Sequence, residues 1–266
     1  MLTYALFWGG GGLVGMLGGI LVLRYRRAFS AAMLVAYAGA ALGLVYGAKL
    51  QFRMDQLPLL QAFAIPPSQL LTPGYHIPLG LVGGLVFGSV ACLLVRVPVA
   101  ELGDALAVSA AVMIPIGRIG CLLAGCCAGV VCGAWARPIC FTFPSGTEAF
   151  YSQVDAGLIA RTAARSLPAH PLQLYFGGAA LAILGVLLGL LRAGARPGSM
   201  LATGFLLYPL AQLALERIRA PVAGHQTGIM TTVLLGMVVA DVAVVAAIVA
   251  YRGTHLGMRR AWTDLM

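Results

Sequence analysis

Seven long apolar runs limit what this chain can fold into more than any other feature of its sequence. Each is close to the ~20 residues with which a helix crosses a hydrocarbon layer about 30 Å thick. The runs cover residues 3–23, 29–50, 77–95, 105–123, 171–191, 200–215 and 230–251. Charged residues make up only 9% of the chain, whereas soluble domains carry about 25%. The sequence therefore predicts an all-α polytopic membrane protein with about seven transmembrane helices in a single transmembrane domain, residues 1–266.

The arginines between the runs predict the orientation of the chain. With the N-terminus outside, the short segments on the cytoplasmic side hold these basic residues: Arg24, Arg26, Arg27, Arg96, Arg192, Arg196, Arg252, Arg259 and Arg260. Basic residues in short loops favour the cytoplasmic side, so we expect the N-terminus outside and the C-terminus in the cytoplasm. The first run has basic residues after it and none before it, the reverse of a cleavable signal peptide, and we expect it to remain as a helix.

Two segments between the runs are long enough to fold outside the helices. These outer segments, residues 51–75 and 128–169, lie on the outer side in this orientation. An irregular segment of more than about 15 residues in a compact protein is usually functional or separately folded. The net charge of +9 fits attraction to anionic lipid headgroups. Because the basic residues form short flanks rather than a solvated stripe, no nucleic-acid partner is expected.

Arg118 stands within the fourth run, in the sequence "GRIGCLLAGCCAG" of residues 117–129. An ionised side chain at this depth costs ~2.5–3.5 kcal/mol on insertion, so something must offset its charge. One interpretation is structural: the guanidinium extends to the outer interface or binds helix carbonyls. The other is an anion site near the outer leaflet, because a guanidinium binds phosphate oxygens with two parallel hydrogen bonds and keeps its charge.

Further polar side chains fall at the same outer level of the predicted bundle. They stand at helix ends and on the last turns of the sixth run: Lys49, His76, His170, Gln212, Glu216 and Arg219. The last three are spaced i, i+4, i+7 and are predicted to share one helical stripe. Each residue alone has an ordinary structural explanation. Their convergence predicts a site that holds an anionic headgroup beside a titratable imidazole.

Five of the six cysteines fall on the outer side: Cys121, Cys126, Cys127, Cys132 and Cys140. An oxidising outer compartment permits disulfides, and two remain open, one between Cys132 and Cys140 and one from Cys126 or Cys127. A zinc site is not favoured, because the paired spacing of zinc-binding cysteines and histidines is absent. A reactive thiol near Arg118 is least favoured, since a buried apolar setting opposes thiol ionisation. The sixth cysteine, Cys92, is expected only to pack.

These motifs together resemble the prolipoprotein diacylglyceryl transferase family. They are "GRIGCLLAGCCAG", "HPLQLYF", "YH" before a glycine-rich stretch, "GAK" at the end of the second run and "ERIR" after the sixth, in the order and spacing of the family. The resemblance implies an enzyme of the bacterial inner (cytoplasmic) membrane that moves a diacylglyceryl group from phosphatidylglycerol to the thiol of a lipobox cysteine in a preprolipoprotein. It also implies release of glycerol phosphate and no need for a metal or cofactor.

The family's motif positions carry over to single residues of this chain. The resemblance implies catalytic roles for His76, as the base for the acceptor proton, and for Arg118 at the leaving phosphate. It implies lipid or phosphate binding by Arg118, Lys49, Arg219, Glu216, Gln212 and Tyr4. Further motif positions, which we expect to order the acceptor entrance or to be structural, are His170, Gln173, Tyr175, Gly120 and Gly129.

The chain departs from the family pattern at the centre of the predicted site. Cys121, Ala124 and Cys126 stand where the family has Asn, Asn and Glu, and Lys49 and Gln212 each stand where it has Arg. A smaller set of guanidinium groups weakens a phosphate site. The alternative is therefore a lipid-binding or redox-active membrane protein that kept this scaffold without the transferase activity. The acceptor, a lipobox cysteine or another group, stays open.

Overall fold

The computed structural model describes residues 2–70, 75–220 and 231–240, and these residues are mostly helical. In chain order the helices are α1 (Leu2–Tyr25), α2 (Ala31–Met54), α3 (Leu59–Phe63), α4 (Ile77–Val95), α5 (Val99–Ala124), α6 (Glu148–Asp155), α7 (Leu172–Arg192) and α8 (Ser199–Glu216). Two short 3-10 helices, Pro67–Gln69 and Ala134–Ile139, lie in the outer segments. Residues 231–240 are also helical.

Five of these helices, α1, α2, α4, α5 and α7, are long and apolar enough to cross a membrane. They cover the first five predicted runs, and α8 covers the sixth. Of the seventh run, 230–251, the structure describes residues 231–240. The rest of that run and the predicted cytoplasmic C-terminus lie outside the described residues. The prediction of an all-α, polytopic membrane fold is confirmed.

Helix α5 begins at Val99, earlier than the predicted start at residue 105, because a buried acidic residue near its start is compensated. The carboxylate of Asp104 accepts hydrogen bonds from the backbone N–H groups of Gly198 (3.0 Å) and Leu201 (2.8 Å) at the start of α8. The guanidinium of Arg26 lies 3.2 Å from the same carboxylate. A carboxylate with these partners is tolerated in a buried helix end that hydropathy alone excludes.

Glycines set the closest contacts between the helices. Helix α2 packs on α4, and α1 packs on α5. In the first pair, Gly43 and Gly83 face each other so closely that a Cβ on either one would overlap the carbonyl oxygen of the other. In the second pair, a Cβ at Gly15 would lie 3.2 Å from the Met113 Cβ. Small residues permit this backbone approach between membrane helices.

The two ends of the bundle have connections of different length. At one end, short turns join α1 to α2, α4 to α5 and α7 to α8. Arg26 links two of these turns by donating to the Ala195 carbonyl at 3.1 Å. The long connections, of which the structure describes residues 55–70, 75–76 and 125–171, lie at the opposite end. The two predicted outer segments therefore share one end of the bundle, which we call the outer end.

A disulfide within the longer outer segment, and backbone bridges to the residues just before α7, hold the segment in place. A disulfide joins Cys132 and Cys140, one of the two bridges that the sequence leaves open. Isolated antiparallel bridges pair Val131 and Phe141 with Ala169. These contacts fix the segment over the outer ends of α5 and α7, where the polar residues of the site stand.

Candidate active site

The outer end of the bundle contains a polar cavity of about 120 Å³. Helices α1, α4, α5, α6 and α8, with the residues next to their ends, supply its walls. The lining residues are Tyr4, Trp8, Tyr75, His76, Ile77, Pro78, Arg118, Cys121, Cys127, Glu148, Gln212 and Arg219. Five residues that the sequence predicts to form one site meet in this cavity, although they are far apart in the chain. They are Tyr4, His76, Arg118, Gln212 and Arg219.

Arg118 presents a buried cation to this polar cavity. The residue is 7% exposed, and its guanidinium lies over the Phe176 ring, 4.3 Å from the ring centroid. Its Nε has no hydrogen-bond partner, and no carboxylate within the described ranges lies at ion-pairing distance from it. A cation–π contact contributes about 0.5–2 kcal/mol, less than the ~2.5–3.5 kcal/mol cost of burying the charge. A bound anion would neutralise this cation.

His76 stands where the shorter outer segment enters α4. Its backbone N–H donates to the Ala48 carbonyl at 3.0 Å, and its Nδ1 lies 3.3 Å from the Asp55 carboxylate. The Phe52 ring packs edge-on against the imidazole, with centroids 5.8 Å apart. A carboxylate at one ring nitrogen orients an imidazole and stabilises its protonated form. The Asp55 carboxylate therefore orients the His76 imidazole at the cavity wall.

Glu216 connects two of the predicted site residues at the end of α8. Its carboxylate accepts hydrogen bonds from Gln212 Nε2 at 2.8 Å and from Arg219 at 2.6 Å. The predicted helical stripe is wrong at its last member, because α8 ends at Glu216 and the backbone of Arg219 instead forms an antiparallel bridge with Gly129. Burial alone would lower the pKa of Arg219, but the charges of Cys127 and Glu216 raise it above its ordinary value. Arg219 therefore brings a second fixed cation to the cavity.

Three thiols stand together beside Arg118, and we call them the thiol cluster: Cys121, Cys126 and Cys127. Cys121 lies in the last turn of α5, and Gly125, with a φ of 66°, turns the chain back so that the other two follow directly. The three sulfur atoms lie within 4.8 Å of one another. All three are free thiols, so the predicted alternative of a disulfide from Cys126 or Cys127 is absent from the structure.

Two hydrogen bonds hold the loop that carries the thiol cluster. Gln173 Nε2 donates to the Cys126 carbonyl at 2.6 Å, and the Cys127 backbone N–H donates to the Glu148 carboxylate at 2.9 Å. Hydrogen bonds from the other two thiols, followed by the nearby guanidinium groups, outweigh burial and lower the pKa of the Cys127 thiol well below its ordinary value. Gln173 is thus a positioning residue for the thiol cluster, lying behind the cavity wall.

Several predicted site residues lie outside the polar cavity. Lys49 is 3% exposed, and its ammonium group lies over the rings of Phe52 and Tyr75 at 5.1 and 5.2 Å from their centroids. The His170 Nδ1 and the Tyr175 hydroxyl are 3.1 Å apart. These residues surround the cavity from α2 and from the start of α7 without lining it.

Gly120 and Gly129 have packing roles at the site. A Cβ at Gly120 would lie 2.6 Å from the Phe7 Cβ, which keeps α1 close to α5. A Cβ at Gly129 would lie 2.8 Å from the His170 Cβ, which keeps the outer segment close to the start of α7. Both glycines permit the approach of elements that carry cavity residues.

Four residues belong to the site although the sequence did not predict them: Trp8, Asp55, Tyr75 and Glu148. Trp8 follows Tyr4 by four positions on α1, and this helical spacing was an available signal. Tyr75 adjoins His76. Asp55 and Glu148 stand in or beside the irregular outer segments, where no local pattern indicates which side chains face the helices.

A second, apolar cavity of about 310 Å³ lies deeper along α5. Its walls come from α1, α2, α4, α5, α7 and α8, with residues such as Leu13, Leu44, Ile183 and Phe205. Ile114 of this wall precedes Arg118 by four residues, so the apolar cavity begins about 6 Å along the helix axis from the arginine. One after the other along α5, the two cavities have the polarity profile of an amphiphile, with a charged end and an apolar body.

Of the two similarities to known proteins, the match to a family model covers most of this chain. A family model of the prolipoprotein diacylglyceryl transferase matches residues 2–252. Over 78 residues the chain is 32% identical to a curated relative from Rhodopirellula baltica named phosphatidylglycerol–prolipoprotein diacylglyceryl transferase. The aligned part covers 29% of this chain and 15% of the length of that relative. The family match includes every helix that lines the two cavities. As its motifs predicted, the chain belongs to the prolipoprotein diacylglyceryl transferase family.

Proposed function

We propose that this protein transfers a diacylglyceryl group from phosphatidylglycerol to the thiol of a lipobox cysteine in a preprolipoprotein, at the outer face of the bacterial inner membrane. Family membership supports the class of reaction. One observation carries the assignment: the buried Arg118 cation faces a polar cavity whose neighbour along α5 is a larger apolar cavity.

The two cavities match the two parts of a phospholipid. The phosphate binds at Arg118 and Arg219, because guanidinium groups pair with phosphate oxygens and stay charged. The acyl chains extend into the apolar cavity, where burial of each methylene contributes about 0.8 kcal/mol. This arrangement brings the glycerol carbon next to the phosphate to the level of the polar cavity, within the space that His76 also lines.

The transfer is a displacement at that glycerol carbon. The acceptor sulfur forms a C–S bond with the carbon, the bond between the carbon and the phosphate oxygen breaks, and its electron pair leaves with glycerol phosphate. His76 takes the acceptor proton, a task suited to an imidazole that titrates near neutral pH. Arg118 and Arg219 stabilise the negative charge that develops on the leaving oxygen. Tyr4, Gln212 and the residues around the cavity hold the headgroup in place.

The proposal is tested by incubating the purified protein with labelled phosphatidylglycerol and a lipobox peptide. Mass spectrometry should detect the diacylglyceryl peptide and glycerol phosphate in equal amounts. Arg118→Ala should lower turnover by roughly 10²–10³-fold, the loss typical of one charge-stabilising group. Arg118→Lys should recover little of it, because the bidentate geometry is lost. Arg217, an exposed arginine directly after α8, supplies the control, and Arg217→Ala should keep full turnover.

The same assay separates transfer from binding. If wild-type protein retains phosphatidylglycerol but yields neither product, the protein is a lipid-binding member of the family and the proposed transfer is wrong. Full turnover in the Arg118→Ala variant would contradict the assignment of this residue to the phosphate.

A further inference from the structure

We propose that the thiol cluster, Cys121, Cys126 and Cys127, binds a thiophilic divalent metal ion such as Zn²⁺. The ion would be held by three thiolates, with its fourth coordination position facing the polar cavity. This fourth position takes the acceptor thiol. The last statement rests on the proposed function, whereas the site itself does not.

The first support is geometric. The three sulfur atoms lie within 4.8 Å of one another, and tetrahedral coordination with Zn–S distances of about 2.3 Å requires sulfur atoms roughly 3.8 Å apart. Rotation about the side-chain bonds of Cys126 and Cys127 covers this difference. The turn at Gly125 returns these two residues to the last turn of α5, so the ligands come from one rigid helix end and the loop directly after it.

The second support is the set of contacts around the ligands. Gln173 holds the Cys126 carbonyl at 2.6 Å, and Glu148 holds the Cys127 backbone N–H at 2.9 Å. Outer contacts of this kind fix the ligands of metal sites and contribute to metal affinity. Neither contact uses a sulfur atom. The hydrogen bonds that the thiols do make, with one another and from Cys126 Sγ to the Cys121 carbonyl at 3.6 Å, would be exchanged for bonds to the ion when the thiols lose their protons.

The third support is charge and access. Three thiolates and a divalent ion leave one negative charge, and Arg118 and Arg219 line the same cavity. Cys121 and Cys127 are also part of the cavity wall, whereas Cys126 is not. An ion bound by the three sulfur atoms is therefore accessible from the polar cavity, where the donor lipid and the acceptor meet.

The ordinary explanation, three thiols that only pack, accounts less well for these observations. Cys92 is such a residue, fully buried in α4. By contrast, Cys121 and Cys126 occupy motif positions at which the family has Asn and Glu. The substitutions that depart from the family pattern thus supply two of the three ligands.

The ion would activate the acceptor. A thiol bound to a divalent ion loses its proton at neutral pH, and this proton passes to His76. The bound thiolate sulfur then forms the C–S bond as the bond between the glycerol carbon and the phosphate oxygen breaks. No electron is gained or lost by the ion, and its coordination position is refilled by water when the thioether product leaves.

The experiment measures metal in the full-length protein, purified in detergent without chelator and without oxygen. Elemental analysis after equilibration with Zn²⁺ should find about one ion per chain. Replacement by Co²⁺ should give thiolate-to-metal charge-transfer absorption. Cys121→Ser, Cys126→Ser and Cys127→Ser should each lower the affinity by at least roughly 10–100-fold, the range for disturbing even an outer contact of a metal site. Cys92→Ala is the matched control and should bind as the wild type does.

Thermal unfolding of every variant ensures that a loss of metal is not a loss of fold. The site is overturned if folded wild-type protein binds neither ion stoichiometrically, or if all three serine variants bind as wild type does. It is also overturned if thiol alkylation reveals a second disulfide within the thiol cluster, besides the bridge between Cys132 and Cys140.

The role of the fourth position has its own readout. Addition of the lipobox peptide should change the Co²⁺ charge-transfer spectrum, and an unchanged spectrum would overturn this part of the proposal. Full transfer by metal-free protein would overturn the inference and leave the proposed function intact. Stoichiometric metal without transfer would leave the site intact and contradict the proposed function.

Discussion

At the scale of single residues, the two cations of the site differ in their carboxylate partners. Arg118 has an aromatic face on one side and the polar cavity on the other. Arg219, by contrast, is paired with Glu216 at 2.6 Å. Arg219 thus has a carboxylate partner, whereas Arg118 has none among the described residues. Arg118 is the residue at which an anion gains most, because its charge is buried and uncompensated.

His76 is the residue whose substitution separates catalysis from lipid binding. Replacing His76 with Gln removes the titratable nitrogen and keeps a polar side chain near Asp55. Turnover should fall by roughly 10²–10⁴-fold, as expected for the loss of a general base. The affinity for phosphatidylglycerol, which depends on Arg118, should change little. Product formation, lipid affinity and thermal stability should be measured on the same two preparations.

The outcomes for His76 distinguish three roles. A stable variant with wild-type turnover would exclude His76 as the base. An unstable variant with reduced lipid binding would indicate that the residue mainly fixes the entry into α4. A stable, lipid-binding and inactive variant is the outcome that the contact with Asp55 predicts.

At the scale of helices, backbone proximity holds the elements that carry the site. Helices α2 and α4 approach through Gly43 and Gly83, and these two helices bring Asp55 and His76 to the cavity at their outer ends. Lipid chains compete poorly for such surfaces, since close packing rather than hydrophobic force drives helix association in a membrane. The geometry at His76 therefore depends on small residues well below it.

Gly43→Ala should destabilise the protein. The added Cβ would overlap the Gly83 carbonyl oxygen and lie 2.6 Å from the Phe87 Cβ, and overpacking of this kind costs about 1–3 kcal/mol. The midpoint of thermal unfolding in detergent should fall. Gly185→Ala on α7 is the matched control, because no atom of the described residues lies within 4 Å of its Cβ position. Equal stability of the two variants would contradict the proposed contact between α2 and α4.

At the scale of the whole molecule, the two ends of the bundle have different chemistry. Short arginine-bearing turns occupy one end, and the outer segments with the polar cavity and the disulfide occupy the other. Arg26 at the first end contacts Glu101 and Asp104 at 3.6 and 3.2 Å. The distribution of basic residues in short turns predicts that this end faces the cytoplasm, which leaves the site at the outer leaflet.

Cysteine labelling of intact spheroplasts tests this orientation. Ser145→Cys in the longer outer segment and Arg196→Cys in the turn between α7 and α8 both replace exposed residues. A membrane-impermeant maleimide should label Ser145→Cys at once and Arg196→Cys only after the membrane is permeabilised. Wild-type protein supplies the background from its free thiols. The reverse labelling order would show that the orientation predicted from the arginines is wrong.

Local sequence patterns predict the helices and much of the list of polar site residues. Hydropathy over ~20 residues is a local property, so the runs could be assigned without knowing their neighbours. An arginine within such a run stands out for the same reason. Local hydropathy misplaces the start of α5, because it does not register Arg26 and Gly198. These two residues, directly after α1 and directly before α8, compensate Asp104.

Which of those residues share a cavity depends on how the elements pack in three dimensions. Lys49 and His170 carry the same sequence signal as His76, a polar side chain at a helix end, yet they lie outside the polar cavity. Asp55 and Glu148 reach the site from or beside irregular segments, and the three thiols meet because one turn at Gly125 reverses the chain. These contacts join residues far apart in the chain or depend on a single backbone angle. No periodic pattern encodes them, because their stability comes from the packing of several elements at once.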